Sequence, residues 1–203
     1  MSGWSLESIF SFVAPLCILF IFIGFEYSVI RNQRQAFKSL AGQFDGFCPK
    51  FFLSCSLKGA FRGLPLTISY VPQRKSAPAR LRFYLKNESR FKLRIYQETA
   101  ITQLSEKLGV VHEVKTGDES FDSGFMILSN DPGQTVIFLG SQDRKNTVRE
   151  LFNRGFDSLV INGKTILAQK PYLYKDDSLE DLSSQKTKEV LELLSKFSSG
   201  PGI

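Results

Sequence analysis

The chain has 203 residues, 26 Lys/Arg, 20 Asp/Glu and a net charge of +6. That is long enough for one domain with a substantial core. One histidine and three cysteines exclude a disulfide scaffold and a histidine-rich metal protein.

Residues run without charge from Ser8 to Phe25, and the stretch from Ile9 reads IFSFVAPLCILFIFIGF. Its length and composition predict a membrane-spanning helix over residues 9–30, after a short tail at 1–8. No Lys or Arg precedes the run, and no small-residue cleavage site follows it, so a signal peptide is disfavoured. Arg31, Arg34 and Lys38 follow the run. By the positive-inside bias this charge predicts a cytoplasmic domain. The lipid bilayer is then the first expected partner. Cys17 lies within the run, and Cys48 and Cys55 are expected to be free thiols.

A juxtamembrane helix is expected over 31–46, with Phe37, Leu40, Ala41 and Phe44 on one face. A single domain follows over 47–197, closed by a flexible tail at 198–203. Alternation then takes over. Leu53, Cys55 and Leu57 pair with Leu64, Leu66, Ile68 and Tyr70 in a hairpin turning at Phe61-Arg62-Gly63. Pro65 restricts the second strand to an edge or a strand start.

A second hairpin is expected around Asn87-Glu88-Ser89-Arg90. Ala79, Leu81, Phe83 and Leu85 face one way, and Arg80, Arg82, Tyr84 and Lys86 the other. Phe91, Leu93 and Ile95 alternate with Lys92, Arg94 and Tyr96. An antiparallel sheet with one dry and one wet face has this pattern. Further on, a helix is expected at 99–108, a strand through Phe125–Leu128 and a helix start at Asn130-Asp131-Pro132. A broken helical segment then runs to about Arg154. Asn162-Gly163 marks a tight hairpin, and 178–197 reads as a final helix. The expected class is α+β: an N-terminal transmembrane helix, then antiparallel hairpins with packed helices.

Charge is uneven. From Glu26 to Glu98, 14 Lys/Arg stand against 4 Asp/Glu; from Thr99 to Ile203 the count is 12 against 15. The basic sheet face carries the main functional expectation. Arg80, Arg82, Tyr84, Lys86, Lys92, Arg94 and Tyr96 could meet anionic lipid head groups or an acidic protein partner. Stacking on nucleic acid ranks last.

The alternative is a metal-dependent enzyme centred on Asp118, Glu119 and Asp122, whose carboxylates suit a hard cation. The segment lacks calcium-loop spacing, and local turn chemistry explains it more simply. His112 has no companion histidine or neighbouring cysteine, and no Gly-x-Ser-x-Gly elbow occurs. No catalytic residue, metal ligand or cofactor is assigned.

Gly59-Ala60-Phe61-Arg62-Gly63-Leu64-Pro65-Leu66 and Thr116-Gly117-Asp118 with Phe121-Asp122 carry a resemblance. The chain resembles a group of bacterial single-pass membrane proteins with an N-terminal anchor, a glycine-spaced hairpin and a Thr-Gly-Asp-x-x-Phe-Asp segment. That resemblance implies a bacterial inner-membrane location and contributes no catalytic residue.

Overall fold

The computed structural model describes residues 17–18, 28, 31–49, 55–73, 77–87, 91–97, 112–172 and 177–198. The class is α+β, as the alternation of apolar and polar residues predicts. Eight antiparallel strands form one sheet in the order β1-β2-β3-β8-β7-β4-β6-β5. They are β1 (Cys55–Phe61), β2 (Leu64–Val71), β3 (Ala79–Lys86), β4 (Leu93–Gln97), β5 (His112–Glu113), β6 (Phe125–Ser129), β7 (Ser158–Asn162) and β8 (Thr165–Tyr172).

The β1–β2 hairpin forms as expected, with Phe61 opposite Leu64 and Leu57 opposite Ile68. Arg62 and Gly63 both take positive φ in the turn, 50° and 78°. Two left-handed central residues match the right-handed twist of the flanking strands. Pro65 pairs with Ala60 of β1, whereas the ladder to β3 starts one residue later at Leu66. The proline thus withholds no donor from β3.

The second expected hairpin does not form. β3 pairs with β2 and β8, and β4 pairs with β7 and β6. The β7–β8 hairpin, with Asn162 opposite Thr165, lies between them. Asn162 Oδ1 accepts from the backbone N–H of Lys164 and of Thr165, both at 3.0 Å, which fixes this turn. Both flanks of the β7–β8 ribbon are therefore paired, and the chain must cross it to pass from β3 to β4.

Helices cover one sheet face. An α-helix over 31–41 (α1) is followed by α2 (Glu119–Asp122), α3 (Pro132–Leu139), α4 (Gln142–Asn153), α5 (Asp177–Asp181) and α6 (Ser184–Ser198). Asp131 caps α3 by accepting from Gln134 N–H at 3.0 Å, with Pro132 in the first turn. The helix expected over 178–197 is two helices, because Leu182 and Ser183 interrupt it. The expectation of a helix at 99–108 lies outside the described residues.

Leu57, Ile68, Phe83, Leu85, Ile95, Ile127, Ile161 and Ile166 supply the sheet's dry face. Against it pack Phe37 and Leu40 of α1, Val148 and Leu151 of α4, and Leu191, Leu194 and Phe197 of α6. Aromatic contacts join the helical side to the sheet, Phe44 to Phe61 and Phe152 to Phe125, and α3 to α6, Phe138 to Phe197.

The membrane-spanning helix expected over 9–30 is corrected. No helix among the described residues is long and apolar enough to cross a membrane. Most of the 9–30 run lies outside the described residues. The described helix nearest to it, α1, carries Arg31, Arg34 and Lys38 and buries only one stripe, through Gln33, Phe37 and Leu40. That stripe belongs to the sheet core, and Gln33 Nε2 donates to Ser178 Oγ at 3.2 Å. The single-pass transmembrane and inner-membrane description that followed from the expected helix is withdrawn with it.

Candidate binding face

The strand registers decide which side chains share the face opposite the helices. Reading across the sheet, Thr67, Tyr84, Leu167, Val160, Arg94 and Leu128 form one row. Ser69, Arg82, Gln169, Ser158, Tyr96 and Met126 form the next. Directly opposed residues in a sheet project to the same side. Arg82 and Tyr96 therefore share a row, as do Tyr84 and Arg94, with β8 and β7 between each pair. At about 4.8 Å per strand, the members of each pair stand on the order of 14 Å apart.

All seven sequence-predicted residues fall on this side. Arg80, Arg82, Tyr84 and Lys86 belong to β3, Arg94 and Tyr96 to β4, and Lys92 precedes β4 in phase with them. The sequence assigned them to one hairpin. The structure instead places them on β3 and β4, which β8 and β7 separate, and fills the centre with Leu167, Val160, Ser158 and Gln169. The result is a broad platform with tyrosine and arginine at alternating corners. Lys58, Lys86 and Lys92 are exposed at its margins.

Hydrogen bonds order the platform. Arg80 Nη1 pairs with Asp157 at 2.9 Å. Ser158 Oγ donates to Asp157 Oδ1 at 3.0 Å, and Gln169 Nε2 donates to Ser158 Oγ at 3.2 Å. Arg82 Nε donates to Gln169 Oε1 at 2.9 Å. The chain of contacts leaves β3 at Arg80, crosses β7 and β8, and returns to β3 at Arg82. Burial raises the Tyr96 phenol above its ordinary range, opposed by the adjacent Arg94 charge and hydrogen bond.

The partners differ in one respect. Arg80 faces a carboxylate, whereas Arg82 meets a neutral amide oxygen and Arg94 a neutral phenol. Sequence reading missed Asp157, Ser158 and Gln169. Their signal was the polar phase of β7 and β8, which becomes informative only once the pairing with β3 and β4 is known.

The acidic segment has a different geometry. Asp118 caps α2, accepting from Phe121 N–H at 3.2 Å and from Ser120 Oγ at 2.8 Å. It also pairs with Lys145 Nζ at 3.1 Å and Arg149 at 3.7 Å. Hydrogen bonds from Ser120 and Lys145 pull its carboxyl down to about 2. Asp122 accepts from Thr116 N–H and Oγ1, both at 2.9 Å, and from Gly117 N–H at 3.0 Å. Glu119 is exposed in the first turn of α2. Protein donors, including a buried ammonium, occupy the oxygens that a cation would need. Among the described residues, no three His, Cys, Asp or Glu side chains are grouped to hold a metal ion. His112 lies in the short edge strand β5, opposite Ser129.

No family model matches the sequence, and no curated protein matches it. Among solved structures, the chain is similar to the crystal structure of the mycobacterial trehalose monomycolate transport factor A, TtfA. The TM-score is 0.48 and the identity 10%, covering 81% of this chain and 97% of that one.

Proposed function

We propose that this protein is a non-catalytic binding domain whose sheet face opposite the described helices docks an acidic protein partner. The observation that carries this reading is the cross-strand register placing Arg82, Tyr84, Arg94 and Tyr96 around an apolar and polar centre. Tyr, Arg and Met are the residue types enriched at the cores of protein interfaces, whereas Lys is depleted there. Here Arg82, Arg94, Tyr84 and Tyr96 surround the centre, Met126 extends their row on β6, and the lysines are marginal. Charge sets the partner's chemistry. Arg82 and Arg94 rest against neutral partners, so two separate carboxylates of a partner can each meet a fork-shaped donor. The Arg80-to-Arg82 hydrogen-bond chain holds the side chains in place before binding, which lowers the ordering cost.

The test is a titration of the full-length chain with a glutamate–tyrosine copolymer, followed by backbone amide shifts. Phosphatidylglycerol vesicles and a thymidine oligonucleotide serve as competing anions. The expected result is saturable, salt-sensitive shifts on β3, β8, β7 and β4, lost in Arg82→Glu/Arg94→Glu. Preference for the vesicles or the oligonucleotide would refute an acidic protein partner, as would copolymer shifts confined to other surfaces.

A further inference from the structure

Arg82 and Arg94 stand at diagonal corners of the platform. Three strand spacings of about 4.8 Å separate β3 from β4, and the two rows lie one two-residue step of about 6.8 Å apart. The two Cα atoms are therefore on the order of 16 Å apart.

Their heads are drawn closer. Arg82 Nε donates to Oε1 of Gln169, which stands opposite it on the next strand. Gln169 is itself turned inward by its bond to Ser158 of β7. Arg94 bonds the Tyr96 phenol, which lies two residues along β4 in the row of Arg82. A lean of one strand by Arg82 and one row by Arg94 shortens the separation to about 10 Å. The guanidiniums thus stand between about 10 and 16 Å apart.

Both charges remain open to a partner. Among the described residues, no carboxylate lies within ion-pair distance of Arg82 or Arg94, and Asp157 is taken by Arg80 at 2.9 Å. Between the corners lie Leu167 of β8 and Val160 of β7, apolar and only half-buried.

A partner must carry its carboxylates at a matching distance. In an extended chain, residues i and i+2 are about 6.6 Å apart, i and i+4 about 13 Å, and i and i+6 about 20 Å, all on one side. The four-residue spacing alone falls inside the interval. On a helix, i and i+4 are about 6 Å apart, and i and i+7 reach about 10.5 Å, its lower limit. An extended segment along this diagonal crosses β8 and β7 steeply, as in orthogonal packing of β layers. Its backbone then makes no ladder with the sheet, and side-chain spacing selects it.

Resting on the acidic-partner reading of this face, we propose that the recognised element is an extended segment with acidic residues at i and i+4 and an apolar residue at i+2. One carboxylate meets Arg82 and the other Arg94. The middle side chain lies on Leu167 and Val160.

Three capped nine-residue peptides of one composition test the spacing. Each has two glutamates, one valine and six threonines, with the glutamates two, four or six residues apart and valine midway in the second. A longer alanine-rich helical peptide carries its two glutamates seven apart. Amide-shift titrations of the full-length chain run at low salt to about 10 mM, enough to detect millimolar binders. The four-spaced peptide should bind about three- to fivefold more tightly than the others, the gain from one well-placed exposed ion pair. Its shifts should include Leu167 and Val160. Arg82→Gln and Arg94→Gln should each erase the preference, because a single guanidinium cannot measure a spacing. Equal affinities, tighter binding of another peptide, or no platform shifts with any peptide would overturn the proposal. So would a preference that persists in both variants. The glutamate–tyrosine copolymer separates the two failures. If it still shifts β3, β8, β7 and β4, the spacing alone is wrong; if it does not, the acidic-partner reading falls as well. The wild-type comparison is decisive should a variant fail to fold.

Discussion

The sheet's platform and the Thr116–Asp122 segment are both dense in charge, yet their charges are used in opposite ways. In the segment, Asp118 and Asp122 are consumed by backbone N–H groups, hydroxyls and the buried Lys145. On the platform, Arg82 and Arg94 rest against neutral oxygens. Charge density in a sequence therefore does not locate a binding site; whether the charge is neutralised internally does. Folding uses the first set, and the second is left for recognition.

The largest effect that sharpens this contrast concerns the segment's anchor. Phe121 is fully buried and stacks on Phe125 at 4.9 Å, with Lys145 and Arg149 above its ring. Phe121→Ala should cost about 3–5 kcal/mol in denaturant unfolding, the range for truncating a buried phenylalanine. A cost below about 1 kcal/mol would show that the segment is not anchored through the core.

The opposite pattern is expected on the platform. Arg82→Glu/Arg94→Glu should change stability by less than about 1 kcal/mol, as surface substitutions do, while acidic-partner binding falls more than about tenfold. A large stability loss with binding preserved would reverse the roles assigned to the two regions.

Acid provides a smaller test. The folded Asp118 carboxyl sits at about 2, below its ordinary 3.8. A depressed carboxylate contributes stability above its unfolded value, and the contribution disappears as pH falls through the folded one. Thermal melts should therefore show an Asp118-dependent fall between about pH 4 and pH 2, absent in Asp118→Asn. An unchanged acid profile in that variant would mean that the carboxylate is not spent on the fold.

The smallest effect is ionic. Raising salt from about 0.05 to 0.5 M should weaken the platform's binding more than the Lys145–Asp118 contact pair, whose ammonium is buried and therefore less screened. Equal sensitivity of both, read as binding on one side and Tm on the other, would remove the distinction.

Much of the platform was legible in the sequence because a strand's period of two fixes which side chains share a face. Arg80, Arg82, Tyr84, Lys86, Lys92, Arg94 and Tyr96 could be grouped without knowing any partner strand. The Asn162-Gly163 turn and the Asp131-Pro132 helix start were legible for the same reason, since their signals span only a few residues. The strand order was not. Pairing β3 with β8 and β4 with β7 is a long-range choice, and nothing local in 87–92 distinguishes a hairpin turn from a crossover. The sequence reading did not single out Lys170, which the strand pairing places in phase with Ile166, Ala168 and Tyr172. It is received there by an ion pair with Asp181, which no local pattern signals. The apolar run at the N-terminus was read from composition alone, and no helix among the described residues supports a membrane span.

The docking role of the sheet face stands or falls on parallel titrations of the wild type and Arg82→Glu/Arg94→Glu with the glutamate–tyrosine copolymer at low salt. Saturable amide shifts are expected across β3, β8, β7 and β4 in the wild type and none there in the variant, with both proteins equally folded. Undiminished binding by a folded variant, or wild-type shifts confined to the helical side, would contradict it.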